Sequence, residues 1–364
     1  MPWFTVKKPD TIVSPALLFY PDRIKENILK MLEIAGAASR LRPHVKTYKC
    51  KEIVALQLQH GISKFKCATL QEALLLAQME VPDVLLAYPI SGPAIHHLIL
   101  LQEKFTATQF SFLIDSEAQL KQWTATKNRD IPVFIDIDAG MHRTGCKPED
   151  IDTLYSKVQK KGFTINGFHI YDGHLHEEKV KERQEAIDGY FKPLQKILQP
   201  YLDENPTMEV VCGGSITFPL HAKDPLRTLS PGTTLLWDHG YQSHFPDLPF
   251  TLAATILTRV IGFPDKNTVC LDVGHKAAAS EMKEMCIYFP QLEDASIITH
   301  SEEHLVVQTS KSNFLKVGDV LYGIPYHICP TVALYDLAYC IHNGEINDQW
   351  LITARKRSFS IANT

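Results

Sequence analysis

Between Leu41 and Trp237 short β-rich runs recur, and each is followed by a stretch that reads as helix or loop. The runs are Leu41–Lys46, Lys64–Ala68, Val84–Ala87, Ser111–Asp115, Pro132–Ile137, Thr164–Tyr171, Met208–Cys212 and Thr233–Trp237, eight in all. Several are near-continuous apolar segments, such as Val84-Leu85-Leu86-Ala87 and Val133-Phe134-Ile135. That pattern belongs to parallel strands covered on both faces. Helical spacing accompanies them: Ile24, Ile28, Met31 and Ala35 share one face, and Leu70 to Met79 is rich in Ala, Leu, Gln and Glu. Eight strand-helix units predict a (β/α)8 TIM-type barrel over residues 16–245, with a doubly wound open sheet as the alternative.

After about residue 245 the texture changes to β-branched, alternating segments, at Thr251–Ile261, Thr268–Val273, His304–Thr309 and Trp350–Lys356. These predict a second, mostly β domain over 246–364, joined by 1–15. The chain has 364 residues, 37 Lys and Arg against 41 Asp and Glu, and a net charge of −4. So small a charge offers no field for a polyanion, which sets nucleic acid aside and leaves small molecules as the expected partners. Eight cysteines without framework spacing fit reduced thiols. No apolar run follows Met1 and none approaches bilayer length, so no membrane partner and a cytoplasmic location are expected.

Barrel active sites lie at the C-terminal ends of the strands. The first run ends in Arg42-Pro43-His44-Val45-Lys46-Thr47, the fifth leads into Asp136 to Gly145, the sixth into His169-Ile170-Tyr171-Asp172-Gly173-His174, and the seventh into Cys212-Gly213-Gly214-Ser215-Ile216-Thr217. A lysine on an inward-facing strand is costly to bury unless paired or neutralised, and a Schiff base is one solution; an exposed strand-end lysine is the other reading of Lys46. Gly213-Gly214-Ser215 describes a plain turn or a loop whose N–H groups approach a phosphate. Together, an amine and an anion site suit a phosphorylated aldehyde cofactor. Arg143, set between Gly140 and Gly145, is either a solvated loop arginine or a cation for the cofactor's phenolic oxygen. Tyr171 meets the ring edge or fills the core.

In the second domain His327 and Cys329 stand two apart, which on an extended strand puts both on one face. Imidazole and thiolate suit zinc, and two ligands leave positions open for water or substrate, as in a catalytic site. A buried histidine beside a structural cysteine fits the spacing equally. His300 and Ser301-Glu302-Glu303-His304 supply further ligands or an ordinary solvated turn.

These segments, with Ser14-Pro15-Ala16-Leu17-Leu18, Ser230-Pro231-Gly232-Thr233, Leu271-Asp272-Val273-Gly274 and Pro325 to Thr331, resemble the D-threonine aldolase and D-serine dehydratase family. That family is the metal-activated branch of the alanine-racemase-like pyridoxal enzymes. The resemblance covers nearly the whole chain and implies pyridoxal 5'-phosphate, a divalent metal (Zn, with Mn or Mg as alternatives) and a homodimer. It implies Lys46 as the Schiff-base lysine, Arg143 on the phenolic oxygen, Tyr171 on the pyridine ring, and Gly213, Gly214, Ser215 and Thr217 on the phosphate. His327 and Cys329 would bind the metal. Tyr48-Lys49-Cys50 departs from relatives that read His-Lys.

The expected reaction is aldol cleavage of a D-3-hydroxy amino acid to glycine and an aldehyde, with His174 or His176 taking the hydroxyl proton unless both are surface histidines. Dehydration to a 2-oxo acid and ammonia is the alternative, with Lys46 removing the Cα proton, and amino-acid racemisation comes after it.

Overall fold

In chain order the strands are β1 (Ala16–Phe19), β2 (Lys64–Cys67), β3 (Asp83–Leu86), β4 (Gln109–Ile114), β5 (Val133–Ile137), β6 (Ile165–Ile170), β7 (Glu209–Cys212) and β8 (Arg227–Leu229). There follow β9 (Ala254–Gly262), β10 (Thr268–Leu271), β11 (Ile287–Tyr288), β12 (Ser296–His300), β13 (Leu305–Gln308), β14 (Val320–Pro325), β15 (Leu337–His342) and β16 (Glu345–Leu351). The computed structural model describes residues 2–281 and 286–359; Met1, 282–285 and 360–364, with the far end of the segment assigned to the β domain, lie outside the described residues. Two compact units result, one of Met31–Lys46, Val54–Gly232 and Lys356–Thr364, the other of Met1–Lys30, Thr47–Ile53 and Thr233–Arg355.

In the first unit β2 to β8 form a parallel sheet in sequential order. Its two edges meet the same short segment: Leu41 bridges Leu229 on β8, and His44 bridges Lys66 on β2. The Arg42 N–H donates to Leu229 O at 2.8 Å and the Lys66 N–H to Pro43 O at 2.9 Å. Residues 41–44 therefore take the eighth place in the ring. Leu85, Leu113, Phe134 and Val211, from four different strands, meet as one apolar cluster.

Connecting helices start at legible caps. Thr69 accepts the Glu72 N–H while Glu72 reaches back to the Ala68 N–H, and Ser116 with Gln119 repeats the device.

Beneath the sheet edge Arg42, with no exposed side-chain surface, forks onto both Asp83 oxygens at 2.7 Å and reaches Glu209 at 3.1 Å. Removing Arg42 leaves the part-buried Asp83 without this cation, while Glu209 keeps Lys64 at 2.7 Å. Arg42→Ala should lower the unfolding free energy by about 3 kcal/mol in denaturant titration; a loss within error would show that the pair carries no stability.

Two strand assignments are corrected. The eighth strand is Arg227–Leu229, not Thr233–Trp237, whose first three residues form a 3-10 turn with the Trp237 N–H returning to Thr233 O. The β-branched and aromatic run is buried by tertiary packing rather than by a ladder, which propensity does not distinguish. Likewise the last strand is Glu345–Leu351, and the predicted Trp350–Lys356 runs instead into a 3-10 turn at Thr353–Arg355.

In the second unit β1 lies between β9, antiparallel, and β15, parallel. The path β12-β13-β10-β9-β1-β15-β16 makes one sheet, and β14 joins β9 to β11. One apolar cluster gathers Val260, Leu271, Leu305, Val307 and Leu321, and another gathers Phe4, Val6, Leu18, Leu257 and Ile341. Among the described residues no helix is long and apolar enough to cross a membrane.

Candidate active site

At the C-terminal ends of the parallel strands the side chains collect around Tyr171, the first residue after β6. The Lys46 Nζ lies 5.6 Å from its ring centroid, the Lys66 Nζ 5.8 Å and the Arg143 Cζ 5.2 Å. A Cβ built on Gly214 would stand 3.5 Å from the same ring. A cavity of about 200 Å³ opens between the ends of β3, β4, β5 and β6, lined in part by Asp136, Arg143, His169 and Tyr171. Lys46 is half-buried and is not on a strand: the extended segment ends at His44, and Lys46 sits in the 3-10 turn Val45–Thr47.

Arg143 is exposed, but its loop is ordered. Asp138 Oδ1 accepts the Gly140 and His142 N–H groups, and the Asp136 and Asp138 backbones pair with Cys146. Gly140, at φ +114, leaves room for His174, whose Nε2 would lie 2.9 Å from a Cβ there. His174 is half-buried and its Nδ1 is buried without a hydrogen bond, whereas His176 is exposed.

The glycine loop is shaped by Asp172. This wholly buried carboxylate accepts the Gly214 N–H at 3.3 Å, the Thr217 hydroxyl at 3.0 Å, and the His221 Nε2–H at 2.9 Å. Burial pushes the Asp172 carboxyl up, but His221, Thr217 and Gly214 outweigh it and hold the group ionised below the ordinary range. Arg227 donates to His221 Nδ1 at 2.8 Å, which keeps the lone pair on that nitrogen and the proton on the side of Asp172. Thr217 also accepts the Gly214 N–H at 2.9 Å, and Ser215 accepts the Gly232 N–H at 3.2 Å. Gly213, at φ +77, packs so closely that a Cβ would stand 2.9 Å from Phe218 Cα.

Sequence reasoning passed over Lys66. It is 4% exposed, on β2 in register with Leu85, and its Nζ meets His169 Nε2 at 3.5 Å. His169 Nδ1–H donates to Asp136 at 2.7 Å. The signal was available: a lysine two residues after Lys64 in a strand whose other neighbours are apolar. Burial, then the charge of Lys46, pull the Lys66 amine down to about 7, against Asp172, Asp136 and Cys212. The unfolded chain keeps that proton to well above pH 9, so between pH 7 and 10 it binds more protons than the folded protein, and folding stability rises with pH. Lys66→Met should therefore stabilise the cofactor-free protein most below pH 7, the advantage shrinking by up to about 1.4 kcal/mol per pH unit toward pH 10. Denaturant titrations at pH 6, 8 and 10 check this; a pH-independent difference would contradict it.

In the other unit β14 ends at Pro325, so His327 and Cys329 are not on a strand. His327 is the extended N-cap residue of the helix Ile328–Val332, and Cys329 lies in its first turn. Proline at 325 and the turn after it end the ladder. The Cys329 Sγ contacts the Thr47 and Thr233 hydroxyls at 3.1 and 3.3 Å. Buried Asp238 accepts the Ile328 N–H at 3.1 Å and is pushed by burial up to about 6. Burial opposes a charged His327, but its hydrogen bond to Cys329 and the nearby Asp238 and Glu281 carry it up to about 9. A nitrogen, a sulfur and two nearby carboxylates are a donor set suited to a divalent metal. Among the described residues no three His, Cys, Asp or Glu groups already form a cage. His300 and His304 lie at the end of β12 and just before β13, with Glu302 and Glu303 paired to Lys276.

Residues 20–238 match the alanine racemase N-terminal domain, and residues 253–341 match a serine dehydratase domain. The chain is 26% identical over 330 residues to a D-threonine aldolase of Arthrobacter sp., covering 86% of this chain and 85% of that one. Among solved structures it is similar to the D-threonine aldolase from Filomicrobium marinum, with a TM-score of 0.85, 22% identity and coverage of 94% and 96%. It is also similar to the D-threo-3-hydroxyaspartate dehydratase from Delftia sp. HT23, with a TM-score of 0.80, 20% identity and coverage of 96% and 99%. That dehydratase is also known as a cysteine-to-alanine variant in a metal-free form.

Proposed function

Because the chain belongs to the family of the alanine racemase N-terminal domain, we propose that it uses that barrel, with the serine dehydratase domain that follows it in the chain, as a D-threonine aldolase. In class it is a pyridoxal-phosphate-dependent lyase of the D-3-hydroxy amino acid family. The observation that carries this reading is the gathering of Lys46, Arg143 and Gly214 on one tyrosine ring. An amine, a permanent cation and a glycine loop are what a planar, anionic, aldehyde-bearing cofactor requires, and the cavity beside Tyr171 has room for a ring.

Bound there, the pyridine ring supplies an electron sink for the bond broken at Cα. Lys46 would hold the aldehyde carbon, Arg143 would pair with the phenolic oxygen, Tyr171 would meet the ring, and Gly213, Gly214, Ser215 and Thr217 would take the phosphate. His327 and Cys329 would hold a divalent metal, most suitably zinc, whose chemistry would be Lewis acidity toward a hydroxyl. His174, half-buried beside Gly140, would take the hydroxyl proton. Exposed His176 is the second candidate. A homodimer and a cytoplasmic location belong to the same reading.

The pairing of Cys329 with His327, together with the dehydratase relationship of the second domain, favours one further reading: dehydration, in which Lys46 removes the Cα proton. Incubation with D-threonine and D-serine, with and without chelator, separates the two. Glycine and an aldehyde are expected from D-threonine; ammonia and a 2-oxo acid would replace the aldolase reading with the dehydratase. Neither product pair would defeat both.

A further inference from the structure

The barrel holds a second amine that no role above uses. Lys66, on β2 in register with Leu85 of the apolar cluster, is buried, and among the described residues its amine forms no ion pair. Its nearest polar partner is His169, whose Nδ1–H is committed to Asp136, leaving the Nε2 lone pair to accept from Lys66. That contact orients the amine without supplying a counter-charge. Both lysine amines lie within 6 Å of the Tyr171 ring centroid, and the charge of Lys46 acts on Lys66, so both amines border the ring around which the site is built.

We propose that Lys66 is a further catalytic residue, the base that takes a proton from the substrate's ammonium group on entry and returns it to the product's amine on departure. The inference rests on the reading of Lys46 given above. An amino acid reaches the site as an ammonium and must lose one proton before its nitrogen can bond to carbon. One N–H bond breaks on the substrate and one forms on Lys66; the reverse transfer releases glycine as an ammonium, so the cycle closes without a co-reactant. The groups facing Lys66 are Lys46, which disfavours its charge, and Asp172, Asp136 and Cys212, which favour it; Arg143 and Lys66 itself act on His169. Their balance with burial places the Lys66 amine at about 7, where it is an effective base near neutral pH.

The test uses the holoenzyme and three variants, Lys66→Met, Lys66→Gln and Lys66→Arg, with two measurements from pH 6 to 10: the visible absorbance of the bound cofactor, and kcat/KM for D-threonine. Lys66→Met and Lys66→Gln should keep the band. They should lose roughly 10²-fold in kcat/KM at pH 7 and recover toward wild type above pH 9, where substrate arrives as the free amine. Lys66→Arg, a cation that cannot act as a base, should share the loss at pH 7. Wild-type pH profiles in Met and Gln variants, or an equal loss at every pH, would overturn the proposal. Wild-type protein that takes up no pyridoxal phosphate would instead defeat the reading of the whole site.

Discussion

Lys46→Ala is expected to take up no cofactor in the covalent form: the visible band disappears, and turnover of D-threonine falls by a factor on the order of 10⁴ or more. The reason is local. Among the side chains at the strand ends, Lys46 is the amine on the 3-10 turn after the eighth-place segment, half-buried and facing the Tyr171 ring. Alanine removes the amine that this turn presents to the ring. The turn itself should survive, since its backbone is held by the bonds of 41–44 to Leu229, Pro231 and Lys66 rather than by the lysine side chain. Borohydride reduction of wild-type holoprotein followed by peptide mapping gives an independent readout. Label on Lys46 is expected; a band that persists in Lys46→Ala, with label on Lys66, would move the covalent link to β2.

The second large effect concerns the other unit. His327→Ala should lose its bound divalent metal and about 10³-fold in turnover, corresponding to a Lewis-acid contribution of several kcal/mol, while keeping the cofactor band. Folding should be little affected, because the His327 side chain makes no capping bond to its helix and both it and its partner Glu281 are nearly half exposed. Chelator should inflict the same loss on wild type, reversible on adding metal back, and should do nothing further to the variant. Cys329→Ala should behave alike, and it also gives up the contacts with Thr47 and Thr233. Full activity in His327→Ala would remove the metal pair from the mechanism.

Much of the barrel was legible because a strand covered on both faces leaves a run of apolar residues that needs no partner to be recognised. β2 to β7 lie where such runs occur, within two residues at either end. The helix at Leu70–Gln78 was visible in its composition. The eighth strand was not, because Arg227-Thr228-Leu229 is three residues long and carries no pattern, while the richer Thr233–Trp237 run drew attention to a buried turn. β1 was missed for a similar reason: four residues whose partners, β9 and β15, lie more than 230 residues away.

Of the candidate site, Lys46, Arg143, Tyr171 and the glycine pair could be placed near strand ends, where an exposed lysine, a solvated arginine, a core tyrosine and a plain turn fitted as well, and their roles came from the family resemblance. Lys66, Asp172 and Asp238 could not be assigned work until their neighbours were known. Residue identity determined which groups can bond an aldehyde, hold an anion or bind a metal. Only the folded chain decided that Lys66 turns inward beside Lys46, that Asp172 is wholly buried under the Gly214 loop, and that the His327–Cys329 pair sits on a helix start. Charge, hydrogen-bond partner and desolvation depend on distances between segments far apart in the chain, and local sequence does not encode those distances.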